Sequence, residues 1–412
     1  MNIAVYTHYF PPEVSAPSIR LNDLAREWIA LGHRVQVVTC FPNHPTGKLF
    51  PGYQGGFYQR EVLDGIDVHR HWTYRTPNRG TLMKSLGHIS YLPSALLISN
   101  SHIDRPDVVI GSSPTFLAAE AAARTARSRR VPFVMEVRDL WPAVFTELGV
   151  MKNPSITRWL ERVELGLYRR ATRVVTVTES FRQNLQSRNV PPGKVVTIPN
   201  GADLDFWSPR EEPSELRKQL GVNDALVVMY LGTHGISHGL KSVLAAAAQL
   251  HDRDGIQFVF VGEGSEKRDL VEQAGNLRLG NVRFIDPVNK EQARDYYALA
   301  DVCLVPLRNI KLFDAFIPSK IFEIMAMARP MVGSVRGESA EILRRSGASL
   351  VVEPENPAAI AEALVKLHSN PGLRRSMGES GRRYVIEHYS RRKLAEAYVR
   401  VLEDAIEEAR RR

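Results

Sequence analysis

Pro318-Ser319-Lys320 opens a short helical stretch, and Glu323 follows within its first turn among mostly apolar and small residues. A helix dipole favours a carboxylate there and opposes a lysine. An anion beside Lys320 would remove that conflict, and Glu323 could accept hydrogen bonds from two vicinal hydroxyls. A diphosphate against Lys320 and a ribose against Glu323 would satisfy both groups at once. Ordinary capping, with Ser319 as the N-cap, accounts for the same residue types. The segment YLGTHGISHGLKSV offers a related site. Gly232, Gly235 and Gly239 let backbone approach a ligand, Thr233, His234 and His238 lie between them, and a helix follows. In VGEGSEKRDL, Gly262 and Gly264 flank Glu263, a pattern that a tight turn before a helix also explains. Neither segment is the G-x-G-x-x-G fingerprint, which disfavours a dinucleotide-dependent dehydrogenase. In the front half, THYFPPEVSAPSIR carries Glu13 and Arg20, and EVRDLWP places Arg138, Asp139 and Trp141 at the end of a strand pattern. A structural Arg–Asp pair and a core tryptophan would also fit the latter.

The elements that must hold these residues alternate between strand and helix. NIAVYTHYF, RVQVVTCF, DVVIGS, PFVMEV, RVVTVT and VVTIP read as strands, separated by helical stretches such as IRLNDLAREWIALG, which Gly32 ends, and FLAAEAAARTARS. A second series begins near residue 225 with ALVVMYLG, IQFVFVGEG, NVRFID, ADVCLVPL and SLVVEP. Short β-branched runs alternating with helices predict parallel sheets covered on both faces. The fold class is therefore α/β, with two Rossmann-like doubly wound domains facing a central cleft. The boundaries are 1–205, 206–387 and a helical tail, 388–412, packing back on the first domain. Ligands of such folds bind beyond the carboxyl ends of the strands.

Composition bounds the partners. With 44% hydrophobic residues in 412, the chain can bury a sizeable core. It has no spanning apolar run and no basic-then-apolar leader, so a cytoplasmic protein is expected. Cys40 and Cys303 sit in apolar strand runs and read as reduced core residues, and no Cys/His spacing suggests a metal. Residues 1–208 carry 24 Lys and Arg against 17 Asp and Glu, whereas residues 209–412 carry 30 against 28. The basic front half suits an anionic surface or ligand. No nucleic-acid-binding motif is present, and an anionic membrane face is the competing candidate.

Together these segments resemble the retaining GT-B glycosyltransferases of family 4. The resemblance spans nearly the whole chain and rests on FPPEVSAPSIRLNDLAREWIALGHRVQVVT, VVTIPNGADLDFW, FVFVGEGSEKRDL, NVRFIDPVNKEQARDYYALADVCLVPL and PSKIFEIMAMARPMV. FPNHPTGKLFPGY and EVRDLWP are similar to the branch of WbuB-type N-acetylfucosaminyl transferases. The resemblance implies that the second domain binds a UDP-sugar and the first an acceptor, with no divalent metal. Glu323 then matches the ribose-binding glutamate, and Val288 the position whose backbone contacts the base. Arg138 and Asp139 match a loop that places a His-Asp pair beside the sugar. Gly232, Thr233, His234, His238, Gly262, Glu263, Val288, Pro318, Ser319, Lys320 and Glu323 form the expected donor set. Glu13, Arg20, His44 and Trp141 form the acceptor set, and Asp139, Arg138 and Lys320 the catalytic one.

Departures from the pattern are specific. A usual glutamate eight residues before Glu323 is Ala315, and the usual Arg and Lys of the glycine loop are Thr233 and His238. The front Gly-Gly is replaced within Val14-Ser15-Ala16-Pro17. Lys320 is the expected replacement cation, and Asp314 a weaker stand-in for the lost glutamate. Residues 79–100, with Arg79, Lys84 and His88 among apolar residues, read either as a helix packed on the first sheet or as contact with a bilayer near a polyprenyl-diphosphate-linked acceptor. The location expected is then peripheral, on the inner membrane face. Rival readings are a nucleotide-sugar epimerase of the same fold and a non-catalytic scaffold.

Overall fold

The computed structural model describes residues 1–13, 15–44, 46–75, 81–147, 149, 151, 153–253 and 255–411. Val14 and Arg79, both singled out above, lie outside the described residues, as do the side chains of Ala16 and Lys84. The chain divides into two units, residues 1–200 with 391–412, and residues 201–390.

In the first unit, β1 (Asn2–Tyr6), β2 (Arg34–Cys40), β3 (Tyr58–Leu63), β4 (Ile66–His71), β5 (Val108–Ser112), β6 (Phe133–Val137), β7 (Arg173–Thr176) and β8 (Val195–Thr197) form one sheet. Its order is β3-β4-β2-β1-β5-β6-β7-β8. Among the described residues, only the β3–β4 pairing of this sheet is antiparallel. The Val- and Ile-rich inner strands are buried on both faces, as parallel strands require. Ile3, Val5, Val108, Ile110 and Val134 pack against helices Ala16–Ala30 and Arg391–Arg411, where Trp28 meets Tyr398 edge-on at 5.2 Å. The other face receives helices Thr81–Ser101, Phe116–Arg129 and Pro154–Arg170. Tyr6 points that way and hydrogen-bonds Ser99 and Thr125. A side chain at Gly111 would come within 2.8 Å of the Ala119 backbone, so glycine lets helix 116–129 lie close on the sheet.

In the second unit, β9 (Leu226–Leu231), β10 (Ile256–Val261), β11 (Val282–Ile285), β12 (Val302–Pro306), β13 (Met331–Ser334) and β14 (Ser349–Val352) pair in parallel in the order β11-β10-β9-β12-β13-β14. Its core joins Val228, Tyr230, Phe258 and Leu304 to Leu240, Val243 and Leu244 of helix Leu240–Gln249 and to Ile360 and Leu364 of helix Pro357–His368.

The unit boundary differs from the expected one. Residues 201–205 belong with the second unit because the Ala202 N–H donates to the Tyr389 carbonyl at 3.0 Å, and Trp207 packs on Tyr297 at 5.6 Å. The return point is 391 rather than 388. The β3–β4 hairpin and the short β13 were not anticipated from sequence. Cys40 and Cys303 are both free and buried. Among the described residues no helix is long and apolar enough to cross a membrane.

Candidate functional site

In the second unit the loop after β9 and the loop after β10 lie backbone to backbone. Gly232 N–H donates to the Val261 carbonyl at 2.9 Å, His234 N–H to Glu263 at 2.8 Å, and Glu266 N–H to His234 at 2.9 Å. A side chain on Gly262 would collide with the Gly232 carbonyl, and one on Gly264 with His234 backbone. These glycines are therefore required by the approach of the two loops. Gly239 takes a left-handed conformation with φ 58° and starts helix 240–249.

Lys320 rises into this place from helix Lys320–Ala326. Its Nζ lies 3.9 Å from the centre of the Tyr230 ring. A side chain on Gly232 would meet that Nζ at 2.7 Å. The ammonium is buried and has no hydrogen-bond partner among the described residues. The residue as a whole is only half-buried. The charged atom, not the stem, is the part removed from solvent. Burial lowers its pKa to about 7, opposed by the nearby Glu323 carboxylate. A buried cation without a hydrogen-bonding anion is costly. The Tyr230 face offsets part of that cost, and the Tyr230 hydroxyl is itself engaged with the Thr233 carbonyl at 2.7 Å.

Glu323, half-buried on the same helix, accepts a long hydrogen bond of 3.5 Å from the buried Tyr297. Val288, Pro318 and Ser319 are half-buried. Ser319 corrects the capping expectation: its dihedrals are helical and its side chain makes no cap bond. His234 is fully buried, with both ring nitrogens lacking a hydrogen-bond partner among the described residues, and burial followed by the Lys267 charge depresses it to about 4. His238 falls to about 3 through burial and then the Lys320 charge. Both imidazoles are thus neutral near pH 7, where Lys320 still carries part of its charge. Thr233 and Glu263 are exposed, and Glu263 lies 3.4 Å from Lys267, which also holds Asp286 at 2.7 Å. Asp314 is paired with Lys311 at 2.8 Å. Tyr230, Tyr297 and Lys267 were missed by sequence reasoning. The first two look like ordinary core aromatics in sequence, whereas Lys267 shares a motif with Glu263.

In the first unit the expected acceptor residues divide. Arg20 corrects its assignment as a ligand cation. Its Nε donates to Glu136 at 3.0 Å, and its terminal nitrogens reach the Ile198 and Pro199 carbonyls and the Asn200 side chain, each at 2.9 Å. It ties β6 to the segment leaving β8. Glu13 is likewise inward. Buried, it accepts the N–H groups of Asn43 and His44, both at 2.8 Å, so it orders the loop after β2. His44 itself meets Tyr9 edge-on at 5.1 Å. Around it, His8 lies 4.7 Å from His88 and 5.5 Å from Tyr91, and His71 lies 4.5 Å from Tyr91. Burial lowers His8 well below its ordinary value and takes His71 to about 4. This aromatic group at the ends of β1, β2 and β4 was missed. The histidines are scattered in sequence, and only the sheet order brings them together.

Arg138 follows β6 and is buried. Its backbone N–H donates to Ser113 at 2.8 Å. Burial brings its guanidinium down to about 10, with the Glu136 charge opposing. Burial raises Asp139, and the Arg138 charge pulls it back. Trp141 packs edge-on against Phe116 at 4.4 Å. Among the described residues no group of His, Cys, Asp and Glu has the arrangement of a metal site.

Comparison with known proteins adds independent findings. Residues 15–201 match the glycosyl transferase 4-like domain family, and residues 225–370 match the glycosyl transferases group 1 family. The chain is 25% identical over 378 residues to WcaI of Escherichia coli strain K12, named for a glycosyl transferase role in colanic acid biosynthesis. That match covers 88% of this chain and 91% of WcaI. It is 24% identical to the uncharacterized glycosyltransferase MJ1607 of Methanocaldococcus jannaschii, over 99% of both. In fold it is similar to sucrose-phosphate synthase of Thermosynechococcus elongatus, with TM-score 0.77 and 19% identity over 98% of each chain. It is also similar to Anabaena Alr3699/HepE in complex with UDP-glucose, with TM-score 0.73 and 16% identity over 98% of this chain and 100% of that one.

Proposed function

The chain belongs to the GT-B glycosyltransferases, and from that premise we propose that its second unit holds a UDP-sugar and its first unit the acceptor. The observation that carries the donor reading is the Lys320 ammonium, buried against Gly232 and Tyr230 without a hydrogen-bonding anion. A diphosphate supplies the missing countercharge, and loop amides share it. Glu323, half-buried on the same helix, receives the ribose hydroxyls, and the Val288 backbone meets the base.

The reaction we propose breaks the bond between sugar C1 and the diphosphate oxygen and forms a bond from C1 to an acceptor hydroxyl on the same face. The acceptor proton passes to the departing phosphate oxygen, leaving UDP and a retained anomeric configuration. Charge gathers on the diphosphate as the first bond breaks, so a cation aimed there lowers the barrier. This step calls on no protein carboxylate as base and no divalent metal. Asp139 orients the acceptor hydroxyl or stabilises positive charge on the ring, and Arg138 sets its local field.

The donor we favour is an N-acetylhexosamine or its 6-deoxy form, as in the WbuB-type branch. Polysaccharide assembly is supported by the naming of WcaI. The acceptor is a glycan or polyprenyl-diphosphate-linked sugar, met at the cytoplasmic face of the inner membrane. UDP calorimetry tests the carrying observation: Lys320→Met weakens UDP by about 10- to 100-fold, the range for a hydrogen bond to a charged group. Full UDP affinity in that variant removes the reading. Incubation with a nucleotide-sugar alone gives slow hydrolysis or no change, and appearance of an isomer would assign an epimerase instead.

A further inference from the structure

Lys320 and Glu323 stand three residues apart on helix 320–326, a spacing at which a lysine and a glutamate ordinarily meet. They do not meet here. The Lys320 ammonium is buried and has no hydrogen-bond partner among the described residues. Around it stand the Tyr230 ring, the Cys303 thiol, the His234 and His238 imidazoles and the Glu323 carboxylate. Burial keeps the phenol and the thiol protonated at neutral pH, so Glu323 supplies the one carboxylate in this group. Closing the pair would relieve the cost of a buried cation. Something holds the carboxylate back.

A partner on another helix does so. The Tyr297 hydroxyl donates to Glu323 Oε2 at 3.5 Å, and Tyr297 is only 1% exposed. Packing does not ask for that hydroxyl. A phenylalanine would lie against Trp207 equally well, whereas a buried hydroxyl needs an acceptor. Tyr297 is also firmly seated. Its helix, Lys290–Leu299, opens directly after Val288 with a capping box between Asn289 and Gln292. Phe206 lies under Lys290 and Arg294 of that helix, each 4.5 Å from its ring centre. Arg382 then joins the Trp207 carbonyl to the Ala326 carbonyl at the end of helix 320–326. Residues 206 and 207 thus pin both helices. What keeps its freedom is the Glu323 side chain, with three torsions to fix.

We propose that Tyr297 is a positioning residue that holds the Glu323 carboxylate away from the Lys320 ammonium, keeping the carboxylate for the ribose and the ammonium for the diphosphate. The inference rests on the donor reading above and adds the group that keeps its two halves apart. Without the phenol hydroxyl, Glu323 swings toward Lys320 and closes the pair within one helical turn. A ligand must then break that pair before it binds. The ribose loses an acceptor set in advance, and the diphosphate meets a cation already neutralised.

The test is calorimetry of UDP and of 2′,3′-dideoxy-UDP at pH 8, in two buffers of different ionisation heat. Wild type prefers UDP by about 10- to 100-fold, the range for hydrogen bonds to a charged group, and takes up a proton on binding. Tyr297→Phe cuts that preference about threefold to tenfold. It also cuts the proton uptake, because an ammonium paired with Glu323 is already charged at pH 8. Adding Glu323→Gln to Tyr297→Phe restores the uptake, since no carboxylate is left to pair. A tyrosine that only fills space would weaken both nucleotides alike and leave preference and uptake as in wild type, and that result overturns the proposal. Loss of the preference in Glu323→Gln but not in Tyr297→Phe overturns the proposal and leaves the ribose reading standing. Retention of the preference in Glu323→Gln removes the ribose reading, and the proposal with it. Absence of UDP binding in wild type removes the donor reading as a whole.

Discussion

In the first unit Arg20 and Glu136 face each other at 3.0 Å, both buried, and the other Arg20 donors reach Ile198, Pro199 and Asn200. In the second, the Lys320 ammonium is buried too, yet it lies over the face of Tyr230 and near Glu323 with no hydrogen-bond partner among the described residues. Both charges stand near the carboxyl ends of parallel strands. The first is satisfied by its own chain and therefore builds the scaffold. The second is unsatisfied by its own chain and therefore has binding energy to give. Position at a strand end alone does not separate the two; the completeness of their partners does.

That contrast predicts opposite responses to deleting the charge. Arg20→Ala leaves Glu136 buried without its cation and destabilises the first unit by about 3–5 kcal/mol, read by chemical denaturation. Lys320→Met removes a buried, unpaired cation, so the second unit is stabilised at pH 6 while UDP affinity falls. Destabilisation of both variants alike would erase the distinction. Trp207, in the second unit, reports its unfolding by fluorescence once the four other tryptophans are replaced by phenylalanine.

The pH dependence sharpens the same point. Below about pH 7 Lys320 is charged in both folded and unfolded chains, and its burial cost is fully present. Above that, the folded chain sheds the proton while the unfolded chain keeps it up to its ordinary pKa of 10.5, so stability rises with pH. Between pH 7 and 9 the gain is about 2 kcal/mol, and Lys320→Met lacks it. UDP binding at pH 8 takes up a proton in wild type, seen as a buffer-dependent calorimetric heat, and takes up none in the variant.

Among the glycines, Gly262→Ala costs about 1–3 kcal/mol, because its new side chain meets the Gly232 carbonyl, which is backbone. Gly232→Ala shares the strain of a positive φ, 144° against 139° at Gly262, but costs less stability, since its further obstacle is the movable end of Lys320, and it lowers UDP affinity by displacing that end. Equal melting of the two variants would show that the loops are not held by that approach. The smallest effect is Lys218→Ala. Its pair with Glu215 at 2.9 Å is solvent-exposed, and the change stays within about 0.5 kcal/mol.

Much of this arrangement was legible in the residues. Alternating β-branched runs and helices gave both sheets, Gly32 ended its helix as expected with φ 85°, and the tail from Arg391 returns to the first unit. The β3–β4 hairpin was missed although Asp64-Gly65 carried its signal, an Asp-Gly pair with both φ angles positive. Arg60 and Glu61 in β3 and Asp67 and Arg70 in β4 obscured the strands around it. Lys320 and Glu323 could be selected from their place in one motif. Glu13 and Arg20 could not be excluded, because their partners lie about 30 and 116 residues away in Asn43 and Glu136. The same distance hid the histidine group, and Tyr230 carried no sign that a lysine would lie across its ring.

One connection sets an order of events. The chain leaves the first unit at residue 200 and re-enters it at 391, and Ala202 is bonded to Tyr389 where these crossings meet. Synthesis therefore delivers every residue of the second unit before the helix carrying Tyr398 and Leu402 emerges to cover Trp28 and the sheet. On the ribosome the inserted unit can mature first, while the unit that began the chain waits with one sheet face bare until the last segment arrives.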